Sequence, residues 1–178
     1  MFRIDKSKNI VIIYTDLTKK ILKNLNKIDA IKIHKENLKE IKDSENFKYL
    51  TNLKILEIPF NGIFNIDKVF VNICDLENLV ELDLRMCGIT KIPNHINKLK
   101  NIKKLHLSWN LIDEFNNNIL DLDKLEDLCI HGNKIKKIED LVLDKINETN
   151  IKIICLKNNC LDQCTKDKLK ILDKDVYL

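Results

Sequence analysis

The chain has 178 residues, of which 44% are apolar and 33% charged, a composition that predicts one folded domain with a hydrophobic core and excludes a disordered chain. No apolar run approaches the roughly 18 residues that a membrane-spanning helix needs, so we expect no membrane segment. The net charge is +4, but among the 31 basic residues only Arg3 and Arg85 carry the planar fork that reads phosphates and bases, which disfavours a nucleic-acid partner.

The N-terminal residues 1–27 are predicted to cap the fold. The apolar run at 10–14 is typical of a strand, and an amphipathic helix is predicted from about Thr15. This run is too short for the apolar core of a secretion signal, so we expect a cytoplasmic protein. The six cysteines are accordingly expected to be reduced thiols, because disulfide frameworks belong to oxidising compartments.

A repeated pattern follows over residues 28–161. Five segments of eleven residues align without gaps and carry an aliphatic residue at their first, fourth, sixth and eleventh places. They are LKILEIPFNGI (53–63), LVELDLRMCGI (79–89), IKKLHLSWNLI (102–112), LEDLCIHGNKI (125–135) and IKIICLKNNCL (151–161). Their starts are 26, 23, 23 and 26 residues apart, and a weaker sixth copy, IDAIKIHKENL, occupies 28–38 with Glu36 at its ninth place.

The segments between these copies are also patterned. After Ile89 the chain reads TKIPNHINKLKNI, in which Ile92, Pro93, Ile96, Leu99 and Ile102 are expected to point inward. The next repeat places Phe115, Ile119, Leu122 and Leu125 at the same offsets.

With its L-x-x-L-x-L-x-x-N/C-x-L pattern and these intervening segments, the sequence resembles the leucine-rich repeat family, mostly its 23-residue type with some longer repeats. The resemblance implies an α/β fold: a curved solenoid with parallel β-strands on the concave face and turns and short helices on the convex face. It also implies a role in binding other proteins.

The chain is therefore predicted to be a single leucine-rich-repeat domain over 1–178. Residues 1–27 form the N-terminal strand and helix cap, residues 28–161 form about six repeats, and residues 162–178 form a C-terminal helical cap, since the end faces of a solenoid would otherwise expose its core. The C-terminal helix is predicted to begin near Thr165, with Leu169 and Leu172 facing inward.

The ninth place of the repeat is predicted to be a structural ladder. An Asn side chain offers two donors and an acceptor, so a stack of Asn residues can satisfy backbone groups where the chain turns out of each strand. Cys87 is expected to replace Asn in one repeat as a small, weak donor, and Gly88 follows it where a tight turn favours positive φ. The predicted ladder consists of Asn61, Cys87, Asn110, Asn133 and Asn159.

The outward places of the strands are predicted to form the binding surface. In KKLHLSW the alternation directs Leu105 and Leu107 inward and Lys104, His106 and Ser108 outward. At the eighth place Phe60, Met86 and Trp109 should lie ~5 Å apart from strand to strand. Beside them we expect an acidic group that consists of Glu57, Glu81, Asp83 and Asp127, with Arg85 among them. The candidate partner-binding residues are Glu57, Phe60, Glu81, Asp83, Arg85, Met86, His106, Trp109, Asp127 and His131.

Chemistry is a weaker interpretation of the same face. His106, Cys129 and His131 should lie close together on adjacent strands, where a metal site or a Cys–His nucleophile is conceivable. An open concave sheet, however, offers no oxyanion hole and no enclosed pocket, and no phosphate-binding, HExxH or GxSxG motif occurs in the sequence. We therefore predict no catalytic residues, no metal and no cofactor.

The function predicted from the sequence is that of a non-enzymatic protein–protein interaction module. It would bind a protein partner through the concave face, as an adaptor, a regulatory protein or a host-interaction protein, and would act as a monomer. One alternative is a structural scaffold within a larger complex. Another is a nucleic-acid binder that uses its lysines, which steep salt dependence of binding would reveal.

Overall fold

A computed structural model describes residues 2–5, 10–13, 28–33, 47, 50–59 and 66–178. These residues contain one nine-stranded sheet whose strands follow one another in sequence order. The strands are β1 (Phe2–Asp5), β2 (Ile10–Ile13), β3 (Ala30–Ile33), β4 (Ile55–Glu57), β5 (Glu81–Asp83), β6 (Lys104–His106), β7 (Asp127–Cys129), β8 (Ile153–Cys155) and β9 (Asp175–Tyr177). Such an order arises when each repeat stacks only on its neighbours.

Strand register brings equivalent places of successive repeats side by side. β1 and β2 form an antiparallel pair, and every pairing from β2 to β9 is parallel. Leu82 pairs with Leu105 and Leu105 with Leu128, all at the fourth place. The columns read from the sequence are therefore real rows across the sheet, and the predicted α/β solenoid is confirmed.

The outer wall depends on repeat length. The two 26-residue repeats each carry an eight-residue α-helix, α1 (Ile66–Ile73) and α2 (Asp140–Asn147). The two 23-residue repeats carry five-residue 3₁₀ helices instead, Asn94–Lys98 and Asn117–Asp121. Three additional residues allow a helix about one turn longer, whereas the shorter segment is closed by i→i+3 bonds such as Ile96 N–H to the Pro93 carbonyl at 3.0 Å.

The core lies between the sheet and this outer wall. The fourth- and sixth-place residues of β4 to β8 are buried, as are the residues predicted to point inward from the outer segments. Pro93 is the exception and is only partly buried. The buried outer residues include Ile92, Ile96, Leu99, Ile102, Phe115, Ile119, Leu122 and Leu125.

The structure differs from the sequence prediction at both ends of the chain. The C-terminal segment is not entirely helical: α3 (Gln163–Leu169) is followed by β9, which pairs with β8. β9 covers the edge of β8, and the Leu156 N–H donates to the Tyr177 carbonyl at 2.8 Å. β1 was also missed, because its sequence FRID lacks the continuous apolar run from which the equally short β2 was predicted.

Other end features agree or lie outside the described residues. The predicted N-terminal strand is present as β2, and the helix predicted from Thr15 falls on residues that the structure does not describe. α3 begins two residues before the predicted Thr165, because the Asp162 carboxylate caps it by accepting from the Thr165 N–H at 2.7 Å. Leu169 is buried and Leu172 partly buried. Among the described residues, no helix is long and apolar enough to cross a membrane.

Candidate binding surface on the concave face

The ninth-place asparagines join each repeat to the one before it. The Asn110 side-chain amide donates to the carbonyls of Leu84 and Leu107 at 2.9 and 2.8 Å. Its oxygen accepts from the N–H groups of Cys87 and Ile89 at 2.9 and 3.0 Å. One side chain therefore satisfies four backbone groups. Three of them, two N–H groups and one carbonyl, belong to the preceding repeat, and the fourth, a carbonyl, belongs to its own repeat.

The two later members of the ladder repeat the two carbonyl bonds and one of the two N–H bonds. Asn133 donates to the carbonyls of Leu107 and Ile130 and accepts from the Ile112 N–H. Asn159 donates to the carbonyls of Ile130 and Leu156 and accepts from Ile135. Asn61 lies outside the described residues.

Cys87 keeps part of this pattern. Its buried Sγ lies 2.9 Å from the Ile58 carbonyl oxygen, the group in the preceding repeat that an Asn amide would reach. A second contact, to the Arg85 carbonyl, is longer at 3.4 Å. Because a thiol has a single weak donor, this joint between repeats is held by weaker side-chain bonds than the joint at Asn110.

The eighth place holds the backbone in the left-handed region. The φ angles are 55° at Met86, 57° at Trp109, 66° at Gly132 and 55° at Asn158. Gly and Asn adopt this conformation readily, whereas a Met or Trp there is uncommon. The turn geometry is thus common to four repeats, and two of them fill it with large side chains that the backbone does not favour.

Trp109 is held in place from the C-terminal side. Its indole lies directly over Gly132, where an added Cβ would come within 2.6 Å of the ring. The His131 ring meets the indole edge-on, with the ring centroids 5.5 Å apart. Even so, 52% of Trp109 remains exposed, as does 46% of Met86.

The predicted strip at the eighth place is described for two of its three members. The Met86 N–H donates to the Ser108 carbonyl and the Trp109 N–H to the His131 carbonyl, so the parallel pairing continues past the strands to this place. Met86 and Trp109 therefore lie in the same row, in adjacent repeats, and we call these two residues the concave lip. Phe60 lies outside the described residues.

The predicted acidic group does not form an uncompensated negative patch. The Arg85 guanidinium donates two hydrogen bonds to the Asp83 carboxylate, from Nε and Nη2, and the shorter is 2.7 Å. This hydrogen bonding raises the pKa of Arg85. The remaining acids each face a basic side chain across the strands. The pairs are Glu57 with Lys32, Glu81 with Lys104, and Asp127 with His106 at a longer 3.9 Å.

Ser108 is not exposed, contrary to the alternation in the sequence. Its side chain is fully buried, and its hydroxyl donates to the Cys129 carbonyl at 3.3 Å. Ser108 is the small residue of the seventh place, flanked in register by Arg85 and His131. Alternation therefore gives the direction of a side chain but not its exposure, because larger neighbours can cover a small residue.

The other end of the face carries sulfur and imidazole groups. The Cys129 Sγ lies 3.4 Å from the His131 Nδ1, and Cys155 is in register with Cys129 on the next strand. Burial, followed by the nearby Arg85, His106 and Lys157, lowers the pKa of His131. Burial and the adjacent Cys129 raise the pKa of Cys155 to about 11. Both shifts favour neutral side chains near pH 7.

A second asparagine ladder was missed in the sequence. It lies one residue before the aligned segments, where the chain enters the strand, in every strong copy except the one that begins at Leu125. Asn101 donates to the Glu77 carbonyl at 3.0 Å, and Asn78 and Asn150 make equivalent bonds to Thr51 and Asp123. The available signal was that four of the five residues preceding the strong copies are Asn, namely Asn52, Asn78, Asn101 and Asn150.

No protein-family model matches the sequence, and no curated protein matches it. Solved structures do match. Internalin C2 of Listeria monocytogenes aligns with a TM-score of 0.67 over 96% of this chain and 79% of its own, at 20% identity. A leucine-rich-repeat protein of Leptospira interrogans aligns with a TM-score of 0.63 over 92% of this chain and 52% of its own, at 19% identity.

A third similar structure is the leucine-rich-repeat ectodomain of the plant receptor kinase GASSHO1/SCHENGEN3 from Arabidopsis thaliana, in complex with Casparian strip integrity factor 2. It aligns with a TM-score of 0.67 over 89% of this chain at 17% identity. This chain spans 19% of that ectodomain and about half of the Leptospira protein. At these identities the similarity concerns the fold.

Proposed function

We propose that this chain, which has the fold of leucine-rich-repeat proteins, is a non-enzymatic module that binds a protein partner through its concave face, with Met86 and Trp109 of the concave lip at the centre. The partner would contact the lip first and the paired charges around it second. The adaptor, regulatory or host-interaction role belongs to the same proposal, as do a cytoplasmic location and a monomeric state.

The observation that carries this proposal is the combination of exposure and backbone conformation at the lip. Holding a non-glycine residue in the left-handed region costs about 1 kcal/mol. Leaving a large apolar side chain half in water gains only part of its burial energy. Gly132 and Asn158 serve the same turn in other repeats without that cost, so folding alone does not account for Met86 and Trp109.

The surroundings of the lip suit a protein partner. Trp and Arg are enriched at interface hot spots, and Met adapts its shape to a bound surface. Arg85, beside the lip, is already oriented by Asp83 and would lose little conformational freedom on binding. The pairing of acids with bases across β3 to β7 leaves no continuous basic strip for a phosphate backbone among the described strands.

The plant ectodomain offers a parallel. That receptor's structure is a complex with Casparian strip integrity factor 2. It supports the idea that a fold of this kind can hold another molecule, while the partner of the present chain is a matter for experiment.

The test compares partner capture from cells that express the protein. The variants are a double Met86→Ala/Trp109→Ala chain and, as a matched control, Leu141→Ala on α2, whose apolar side chain is 83% exposed but lies on the outer wall. We expect partners to be retained by wild type and the control and lost by the double variant. Loss of two hot-spot residues should weaken affinity by at least about 30-fold, or 2 kcal/mol.

Circular dichroism and thermal unfolding must first establish that the double variant is folded. If the folded double variant keeps every partner of the wild type, the concave lip is not the binding site, and the structural-scaffold alternative is favoured. Binding to oligonucleotides that weakens steeply with salt would instead favour the nucleic-acid alternative.

A further inference from the structure

The cluster of Cys129, His131 and Cys155 lies on the concave side of β7 and β8. Its three potential ligand atoms, two sulfurs and one imidazole nitrogen, are all within 4.8 Å of one another. The Cys129 Sγ and His131 Nδ1 are 3.4 Å apart. We call these three residues the thiol–imidazole cluster.

The backbone gives the cluster its geometry. Cys129 and Cys155 occupy the same place in adjacent strands and are paired in register, so their side chains leave the sheet on the same side. Leu128 and Ile154 beside them are buried on the opposite side. His131 follows Cys129 by two residues and shares its face, and the indole of Trp109 packs against its ring. The donors are thus mounted on paired strands rather than on a mobile loop.

We propose that the thiol–imidazole cluster binds one divalent cation of the zinc class through two thiolates and one imidazole nitrogen. Around tetrahedral zinc, sulfur and nitrogen ligands lie roughly 3.6 Å apart and two sulfurs roughly 3.8 Å apart, from bond lengths of about 2.3 and 2.05 Å. The 3.4 Å contact is close to the first distance, and the 4.8 Å limit leaves only a small side-chain adjustment for the others.

The charges and protons of such a site balance. Each cysteine would release its thiol proton to solvent on binding, and two thiolates offset the two charges of the cation. His131 would bind through Nδ1 in its neutral form and keep its proton on Nε2. All three side chains are partly exposed, so water can fill the fourth position.

Cys155 supplies the second sulfur, which completes the set of three ligands with Cys129 and His131. The sequence expectation of no metal considered His106, Cys129 and His131, which supply one sulfur. In the structure His106 faces Asp127, with its Nε2 3.9 Å from that carboxylate. The second sulfur comes from the other neighbouring strand, 26 residues after Cys129. Soft thiolates together with imidazole select zinc-class ions over Mg²⁺ or Ca²⁺.

The experiment is a Co²⁺ titration of the full chain kept reduced with a phosphine. Thiolate–Co²⁺ coordination gives a charge-transfer absorption, and bound Co²⁺ should quench the fluorescence of Trp109, which is the one tryptophan in the sequence and touches His131. We expect saturation at one Co²⁺ per chain and reversal of both signals by Zn²⁺.

Variants decide where the ion binds. Cys155→Ser and His131→Asn should each weaken Co²⁺ binding by more than about 100-fold, since even loss of an outer-shell partner costs roughly 10- to 100-fold. Cys160→Ser and Cys164→Ser, which alter exposed cysteines outside the cluster, should leave binding unchanged. Each variant is first checked for native circular dichroism. The two cluster variants each remove one ligand, Cys155 from β8 and His131 from the residues that follow β7, so each tests the site independently.

The proposal is overturned if reduced wild type shows no saturable Co²⁺ signal, whether or not Cys129 and Cys155 then form a disulfide in air. It is equally overturned if folded Cys155→Ser binds as wild type does, or if Cys160→Ser or Cys164→Ser abolishes the signal. None of these outcomes depends on the identity of a protein partner.

Discussion

Asn110 and Trp109 are neighbours in the chain, yet they belong to two regions with opposite rules. The ninth-place ladder is buried at Asn110 and Asn133 and partly buried at Asn159, and in these three successive repeats the side chain donates to a carbonyl of the preceding repeat. The eighth place, one residue earlier, includes the concave lip and has the same backbone conformation in four repeats but carries four different residues. The fold therefore restricts the residue type at the ninth place but only the φ angle at the eighth place. Side chains at the eighth place are consequently free to take part in binding.

The largest effect should come from breaking the ladder. Asn110→Ala leaves four buried backbone groups without their side-chain partner, and we expect it to lower the free energy of unfolding by about 3 to 5 kcal/mol. Urea unfolding followed by circular dichroism measures this. Asn117→Ala, an exposed asparagine in the same repeat, should change stability by less than about 0.5 kcal/mol. Equal effects for both variants would contradict the ladder.

The lip can be tested at two glycines near it, Gly132 under the Trp109 ring and Gly88 two residues after Met86. Gly132→Ala places a methyl group against the Trp109 ring at a positive φ and should lower the free energy of unfolding by about 2 to 3 kcal/mol. Gly88→Ala has a similar φ of 77° but open space around its Cβ, so only the conformational cost of about 1 kcal/mol applies.

The difference between these two variants isolates the contact between Gly132 and the indole. Displacement of the indole should also shift the Trp109 emission in Gly132→Ala and not in Gly88→Ala. If the two variants are equally destabilised and their emission is unchanged, Trp109 is not seated on Gly132.

Restoring the ladder should be a smaller, favourable change. Cys87→Asn offers an amide to the Ile58 carbonyl that the thiol now contacts and to the Leu84 carbonyl of its own repeat. We expect stabilisation by about 0.5 to 1.5 kcal/mol, seen as a higher midpoint in urea at an unchanged slope. A lower midpoint would mean that this turn cannot accept the longer side chain.

The last test needs no substitution and compares how fast two cysteines of the native protein react with a thiol reagent. Cys87 is buried at the ninth place, whereas Cys160 is exposed at the tenth place of another repeat. Cys160 should therefore react with a maleimide quickly at pH 8 and Cys87 only on unfolding, as read by mass spectrometry of peptides. Burial raises the pKa of Cys74 to about 12, so that thiol stays protonated and should be protected as well.

The repeated features were predictable and the unrepeated ones were not. Aliphatic residues at fixed places gave the strands and the core, because five aligned copies make the period unambiguous. β9 could not be found in this way, since DVY is a single three-residue strand that lacks the rest of the pattern. The second asparagine ladder was equally periodic, but it lies just outside the eleven aligned places.

On the candidate surface, the places that align from strand to strand were predictable from the sequence, but the contacts between their side chains were not. It grouped Glu57, Glu81 and Asp83 as acids, whereas each has a basic partner, because pairing depends on side-chain reach rather than on column. The metal hypothesis also counted one sulfur beside His131. The second, Cys155, stands at the same fifth place of the next repeat, so the alignment already placed it beside Cys129, and the register of β7 with β8 confirms that position.

The thiol at Cys87 also has a consequence for how the solenoid comes apart. In a linear array, the cooperativity of unfolding depends on the coupling between adjacent units, and a weak coupling marks the boundary between independently opening segments. Asn110, Asn133 and Asn159 couple the later repeats through several bonds each, while the Cys87 side chain reaches the preceding repeat through the weaker contact of its sulfur with the Ile58 carbonyl. Native-state hydrogen exchange should therefore divide the molecule there, with the strands from β5 onward opening together and those before β5 exchanging as a separate, less protected unit.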